Sequence, residues 1–431
     1  QMIIRVSPST LRGEVQAPPS KSVMQRLVAG ALLAEGTSTL HNISQSDDCT
    51  AALLLAAQLG AEIELDEQSV RIIGVGGNLQ PRTTQLTPGE SGLAARLFTP
   101  IAGLVNTSLE IIAEKSLDGR PMDSFEWLFD AFGGRLTTTA GTFPVHIHEP
   151  LLGGEAALTN PISSQFTTGT LFAMPLMKRD SSLSVNNATS TPYLDMTLDI
   201  LADFGIQIDF EGHTHYACAA GQSYQPIEAV VDGDWSGAAA LAVAAMVAAE
   251  GSIAIQGLDN TYTQADEAIR GALLFAGGAL SGIDGGIQVA KRPVRAFQVD
   301  LNESPDLFPV LAALAAFGKK PSTLKGIGRL IHKESNRATA IQSTWEALGI
   351  RVELDADADT MTVHPWGSNR PAKVATLHAH GDHRMVMALS VLAIGGASPI
   401  EIEKAECVAK SYPQFFDDLE TLGVELHMCK N

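Results

Sequence analysis

The sequence predicts an α/β fold of two domains, each made from three copies of a unit with two helices and several strands. Three observations carry this. An aliphatic helix pattern runs into a glycine-bearing turn and a strand at six places: AAQLGAEIEL, DAFGGRLTTT, ADFGIQIDF, LFAGGALSG, EALGIRVEL and ETLGVEL. Their glycines, Gly60, Gly133, Gly205, Gly277, Gly349 and Gly423, are spaced 73, 72, 72, 72 and 74 residues apart. Such regularity marks one supersecondary unit copied along the chain, and each Gly suits the left-handed residue just past a helix end. A second series of short strands follows Ala-rich helices in phase with the first: TSTLHNIS, TSLEIIAEKS, SSLSVNNATS, GSIAIQGLDN, STLKGIGRL and SPIEIEKAEC. Finally, the chain is 45% hydrophobic and only 6% aromatic, a composition suited to Ala-rich helices packed closely on one another or on a sheet.

Taken in order, the units differ mainly in their loops. The first opens with PPSKSVMQR, Pro18 to Arg26. Two prolines stop the preceding segment and Ser-Lys-Ser starts a helix, whose outward amides with Lys21 and Arg26 make either an anion seat or a plain cap. SDDCTAALLLAAQLG follows, with Ser46, Asp47 and Asp48 as N-cap and acidic first turn. The second unit offers SLDGRPM, with Arg120 before the helix MDSFEWLFDAFGG. The third offers SSQFTTG, with Ser163, Ser164 and Gln165, and STPYLDM, with Ser190 and Tyr193. These neutral donors suit a hydroxylated or phosphorylated ligand, and suit helix caps equally.

Crossings between the halves are expected near residues 14–20 and 224–234, at PPSK and SYQPIEAVVDGDWSG. The N-terminal lobe is then 15–227, and 1–14 join 228–431 in the C-terminal lobe. The fifth unit carries NESPDLFPVLAALAA and RLIHKESNR. Asp306 stands at the mouth of an apolar helix, and Lys333, Glu334 and Arg337 have the spacing of an ion-paired face. A carboxylate held between two cations there would stay ionised and could exchange protons. The sixth carries HAHGDHRMVMALSVLA and CVAKSYPQFF. His378, His380, Asp382 and His383 resemble metal ligands, but Arg384 beside them disfavours a metal cation, and no metal is expected. Lys410 stands in the loop before the last helix.

Charge sharpens these features. With 48 acidic side chains against 29 Lys and Arg, the net charge is −19, which excludes nucleic acid as a bulk partner. Lys21, Arg26, Arg120, Lys333, Arg337, Arg384 and Lys410 nevertheless all fall at helix starts or in connecting loops, so an anionic ligand is expected, enclosed by two lobes that exclude water. The four cysteines, Cys49, Cys218, Cys407 and Cys429, form no CxxC pair and fit a reducing compartment. No membrane segment is apparent, and a cytoplasmic protein is expected.

Together PPSKSVMQR, SLDGRPM, SSQ, STPYLDM, ESPDLFP, HKESNR, GDHRMVMA and AKSYPQFF resemble, in order and spacing over the whole chain, the 5-enolpyruvylshikimate-3-phosphate synthase family of enolpyruvyl transferases. The resemblance implies two inside-out α/β barrel lobes, each of three βαβαββ repeats. It implies transfer from phosphoenolpyruvate to shikimate 3-phosphate on the route to chorismate and the aromatic amino acids. It further implies a cytoplasmic monomer without cofactor, and a target of glyphosate. Shikimate 3-phosphate would be held mainly by the N-terminal lobe, through Lys21, Ser22, Arg26, Ser163, Ser164, Gln165, Ser190 and Tyr193, with Asp306 and Lys333. Phosphoenolpyruvate would be held by Lys21, Gly92, Arg120, Gln165, Arg337, Arg384 and Lys410, mainly on the C-terminal side. Asp306 and Glu334 would be the acid–base pair, with Lys21 as a third partner.

The sequence departs from the family in places. Where Asn-Ala-Gly-Thr is usual it has Glu90-Ser91-Gly92-Leu93 before Ala94-Ala95-Arg96, so Glu90 must turn away or find a partner such as Arg96 or Arg120. Arg329 replaces an Asn that commonly meets the substrate phosphate. Two rivals remain: a UDP-N-acetylglucosamine enolpyruvyl transferase, disfavoured because no cysteine falls in the second- or third-unit loop where that relative carries one, and a non-catalytic anion-binding scaffold. Asp306 and Glu334 weigh against the scaffold, because a carboxylate beside an anion seat repels the ligand.

Overall fold

The computed structural model describes residues 2–429. Twelve α-helices are labelled in chain order: α1 (Lys21–Leu33), α2 (Asp47–Gln58), α3 (Gly92–Ala102), α4 (Ser124–Ala131), α5 (Gln165–Ala173) and α6 (Thr191–Asp203), then α7 (Trp235–Ala248), α8 (Ile269–Phe275), α9 (Phe308–Ala316), α10 (Arg337–Ala347), α11 (His383–Ile394) and α12 (Phe415–Thr421). Odd and even members differ. α3, α9 and α11 are buried at every residue, and α1, α5 and α7 at all but one or two. A helix apolar all round has to lie inside, and Ala and Gly let such helices pack closely. The even helices bury one face and expose the other. Each ends two residues before a repeat glycine, and all six of those glycines have positive φ, from 76° at Gly133 to 120° at Gly60. That is the left-handed position a Cβ disfavours.

The chain forms two compact units, Pro19–Asp232 with Thr261–Gln264, and Gln1–Pro18 with Gly233–Asn260 and Ala265–Asn431. The first contains α1–α6 and the second α7–α12. Each has three four-stranded sheets, and every sheet has the same order: first, second, fourth, third strand of its repeat. The first pair runs parallel, as a strand–helix–strand crossover requires, and the others antiparallel. Three strands sit away from their neighbours in sequence. Ile3–Val6 pairs with Ile400–Glu403 and Leu426–Cys429, completing the sixth repeat. Glu14–Gln16, just before α1, pairs in parallel with Ser252–Gln256 after α7. Glu228–Val230, just before α7, pairs with Glu35–His41 after α1. Each unit has its own apolar core.

The fold is the α/β architecture of six βαβαββ repeats, three to a unit. It sets the first residues of each buried helix at one loop end of its repeat, where Lys21, Gly92, Gln165, Asp306 and Arg384 occur.

Candidate active site

In the unit Pro19–Asp232, Ser20 caps α1 by accepting from the Val23 amide at 3.3 Å, so Lys21 and Ser22 are its first helical residues. Lys21 Nζ lies 2.7 Å from Asp48 Oδ2, in the first turn of α2. Arg26, one turn further on, is 1% exposed. Its Nε donates to Thr197 Oγ1 at 3.0 Å and its Nη1 to the Ser22 carbonyl at 2.8 Å, and the Tyr193 ring centre is 5.7 Å from its Cζ. Burial lowers its pKa to about 10, which still leaves a cation at neutral pH. Among the described residues no carboxylate pairs with it. A buried cation held by one hydroxyl, a carbonyl and a ring is prepared for an anion.

A second such place lies at the start of α3. Ser91 caps the helix at the Ala94 amide, 3.0 Å, and donates its own proton to Gln25 Oε1 at 2.9 Å. Gly92 follows, and a Cβ there would lie 2.6 Å from Arg120 Cζ and 2.8 Å from Nη2. Only a glycine lets the guanidinium lie on the helix start. Arg120 is nine-tenths buried, and its Nε has no hydrogen-bond partner. Arg96, one turn into α3, is 2% exposed; its Nη1 donates to Gln165 Oε1 at 3.1 Å and its Nη2 to the Pro121 carbonyl at 2.8 Å. Its guanidinium lies over Phe166, 4.6 Å from the ring centre. Burial, and then the charge of Arg120, push its pKa well down. Arg96 and Arg120 set two buried guanidiniums side by side, with the Asp123 carboxylate acting on Arg96. Sequence reading did not assign Arg96 a role, although a lone charge inside the apolar stretch GLAARLFTPIA was the available signal.

The neutral donors stand at the remaining helix starts. Ser163 Oγ accepts from the Gln165 amide at 3.2 Å, which sets Gln165 at the head of α5 against Arg96. Ser190, at φ 50°, precedes α6, with Tyr193 in its first turn.

The other unit holds a dense network. Arg337, at the head of α10 and 1% exposed, reaches three carboxylates. Its Nη1 is 2.7 Å from Asp306 Oδ1, its Nη2 2.7 Å from Glu334 Oε2, and its Nε 2.8 Å from Asp382 Oδ2. Lys333 Nζ meets the same Asp306 oxygen at 3.2 Å, and Lys410 Nζ stands 4.0 Å from Glu334 Oε1. Burial would raise the Asp306 carboxyl, but Lys333, Arg337 and Arg384 hold it well below the usual carboxylate range. Burial likewise opposes the charge on Arg337, and Asp382, Glu334 and Asp306 outweigh it. Asp382 caps α11 by accepting from the Arg384 amide at 2.9 Å, which fixes Arg384 in the first turn. Arg384 is 4% exposed and lies in the fields of Asp306, Asp234 and Asp266.

Among the described residues, one cluster offers metal-ligand spacing. Ligand atoms of Glu334, Asp382 and His383 lie within 4.8 Å of one another. Arg337 occupies both of those carboxylates, so the cation among them is a guanidinium. The His380 amide donates to His378 Nδ1 at 2.8 Å, and His380 Nε2 meets Thr344 Oγ1 at 3.1 Å.

A family model described as EPSP synthase (3-phosphoshikimate 1-carboxyvinyltransferase) matches residues 6–419. The chain belongs to the EPSP synthase family. The 3-phosphoshikimate 1-carboxyvinyltransferase of Clostridium kluyveri is 31% identical over 424 residues, 98% of either chain. That of Methanocorpusculum labreanum is 32% identical over 431 residues, 99% of either chain. EPSP synthase of Acinetobacter baumannii superposes over 100% of both chains with a TM-score of 0.81 at 24% identity. The enolpyruvyl transferase NikO of Streptomyces tendae gives 0.77 at 16%, over 100% of this chain and 99% of its own. At those identities the two structures show the shared fold.

Within this EPSP synthase family member the departures acquire definite surroundings. Glu90 pairs with neither Arg96 nor Arg120. It accepts from Lys115 Nζ at 3.2 Å and from Ser116 Oγ at 2.8 Å, so its charge is met in the 115–117 turn and the two arginines keep theirs. Leu93 is 8% exposed and packs into the core of its unit. Arg329 donates to the Asn302 carbonyl.

Proposed function

We infer that the chain transfers the enolpyruvyl group of phosphoenolpyruvate to the 5-hydroxyl of shikimate 3-phosphate and releases phosphate. Asp306 carries the inference: an aspartate kept ionised by Lys333, Arg337 and Arg384, at the mouth of a buried helix, can accept a hydrogen bond from a hydroxyl and receive its proton once attack has made that oxygen acidic. Asp306 takes the proton of the 5-hydroxyl as that oxygen attacks C2 of the donor. Glu334 serves C3, giving it a proton on addition and taking one back on elimination; Lys410, 4.0 Å from it, faces the carboxylate that exists between the two steps. Phosphate then leaves the tetrahedral adduct, carrying the proton first taken from the hydroxyl. Lys21 is the third member of this shuttle.

Both substrates are phosphorylated carboxylates, and the two cation sets suit them. Ser22, Arg26, Ser163, Ser164, Gln165, Ser190, Tyr193, Asp306 and Lys333 are assigned to shikimate 3-phosphate. Gly92, Arg120, Gln165, Arg337, Arg384 and Lys410 are assigned to phosphoenolpyruvate, and Lys21 to both. Preset cations stabilise the charge that develops on the adduct without reorganising at the moment of reaction. The chain works as a cytoplasmic monomer without cofactor; among the described residues no helix is long and apolar enough to cross a membrane. Phosphate release from phosphoenolpyruvate, dependent on added shikimate 3-phosphate, is the decisive assay. No release would sink the assignment.

A further inference from the structure

The acid that departs from the family pattern fastens the loop from which Arg120 reaches the start of α3. Glu90 stands just before Ser91 and Gly92, and this stretch meets residues 114–120 at both ends and in the middle. At one end the Glu114 amide donates to the Gly89 carbonyl at 3.0 Å. In the middle Glu90 Oε2 accepts from the Ser116 hydroxyl at 2.8 Å and from the Ser116 amide at 3.4 Å, while Oε1 accepts from Lys115 Nζ at 3.2 Å. At the other end the Arg120 guanidinium lies on the helix start at Gly92. The single turn Lys115–Leu117 joins these contacts, and the Arg120 amide donates to its last carbonyl, that of Leu117, at 2.9 Å.

That turn needs holding. Lys115 opens it at φ 41°, in the left-handed region that a residue with a Cβ disfavours, and such a residue persists where its surroundings over-determine it. Leu117, 1% exposed, fixes the apolar side of the turn in the core of the unit. The Glu90 carboxylate fixes the polar side. Its ion pair is the weaker part, because the Lys115 side chain is 78% exposed and exposed pairs contribute little. The stronger part is Ser116, whose hydroxyl and amide converge on one oxygen of a partly buried carboxylate; hydrogen bonds to an ionised acceptor exceed neutral ones. Arg120 needs such support from its backbone. Its Nε has no hydrogen-bond partner, so the place of its guanidinium follows from where residues 115–120 are set.

We propose that Glu90 is a positioning residue for Arg120: through Ser116 its carboxylate clamps the Lys115–Leu117 turn, and the turn sets where the guanidinium meets the anion. The inference rests on the assignment of Arg120 to phosphoenolpyruvate. An acid this close to an anion seat serves the seat by being bonded away from it. The lone pairs that would repel the ligand are spent on Ser116 and Lys115.

The test is KM for each substrate in the wild type, Glu90→Ala, Glu90→Gln, Ser116→Ala and the double variant Glu90→Ala/Ser116→Ala, with thermal melts to establish folding. A binding group displaced by about 1 Å can cost on the order of a hundredfold, so a turn loosened in Glu90→Ala should raise KM for phosphoenolpyruvate on the order of tenfold. KM for shikimate 3-phosphate should hardly move, a split that general loosening of the unit would not give. Glu90→Gln keeps an oxygen for the Ser116 hydroxyl and should recover most of the loss. The double variant should match Glu90→Ala, because both changes break the same bond. An unmoved KM for phosphoenolpyruvate in Glu90→Ala, an equal rise in both KM values, a Gln variant as weak as the Ala variant, or a double variant at the product of the single effects overturns the proposal. If Glu90→Ala does not fold, Ser116→Ala decides alone by the same split. Arg120→Met separates the two claims: an unchanged KM there overturns the phosphoenolpyruvate assignment itself, whereas a raised KM there with an unmoved KM in Glu90→Ala overturns only the role of Glu90.

Discussion

Replacing Gly92 by alanine puts a methyl group where the Arg120 guanidinium lies, 2.6 Å from its Cζ and 2.8 Å from Nη2. Ordinary carbon contacts begin near 3.4 Å, so the guanidinium must retreat by roughly 1 Å, more than a charge-assisted hydrogen bond tolerates. The backbone at Gly92 has ordinary φ and opens a helix, where Ala is better than Gly by about 0.5–1 kcal/mol. The fold should therefore be unharmed and the damage confined to Arg120. Losing one or two hydrogen bonds from a buried cation to a bound anion costs about 1.5–3 kcal/mol, which raises KM for phosphoenolpyruvate on the order of 10- to 100-fold. KM for shikimate 3-phosphate should hardly move. Steady-state kinetics with each substrate varied, beside a melt of the variant, measure all three quantities. An unchanged KM for phosphoenolpyruvate in a folded Gly92→Ala protein would refute the reasoning.

Lys21→Met should abolish turnover, and it should also lower stability by about 2 kcal/mol, because Asp48, 4% exposed in its side chain, loses its ammonium partner; urea unfolding with retained activity would contradict the first claim, and an unmoved midpoint the second. Leu93→Thr exchanges core packing for a hydroxyl beside Gly92, and should change both inhibition by glyphosate and KM for phosphoenolpyruvate; a variant unchanged in both would remove Leu93 from the determinants of that site. Asp306 is held below its ordinary value, so the stability it contributes is complete above the unfolded value near pH 4 and fades as pH falls through the lowered folded one. Asp306→Asn should thus be less stable than the wild type at pH 6, with the gap closing toward pH 2; a gap independent of pH in denaturant titrations would show that the ion pairs add nothing.

The positions of many candidate residues were legible because they mark helix starts. Lys21, Gly92, Gln165, Arg337 and Arg384 each occupy the first turn of a helix whose apolar run is visible in the sequence, and Ser20, Ser91 and Asp382 are caps that local chemistry selects. The partners were not legible. Glu90 was expected to turn away or find a partner such as Arg96 or Arg120, and it meets Lys115 and Ser116, 25 and 26 residues away. Arg96 entered only as a candidate partner for Glu90, and its contacts with Gln165 and Phe166 come from elements distant in sequence. Asp266 was not singled out in TQADEAIRG, since nothing local tells a solvated carboxylate from a buried one that meets the Ser236 hydroxyl.

The sequence by itself determined the sixfold repeat, because a helix that must stop needs a residue free to take positive φ, and glycine is readable wherever it falls. It also determined which helices go inside, because an Ala- and Leu-rich run with no polar face has nowhere else to lie. Only the tertiary structure decided that Glu14–Gln16 joins the strand after α7 and Glu228–Val230 the strand after α1. Strand pairing is a contact between segments more than 180 residues apart, and their three-residue sequences carry no register of their own. Charge state was decided there too: Asp306 and Asp266 are the same side chain, one held ionised by two cations in contact and the other pushed toward neutrality by burial with a single hydroxyl.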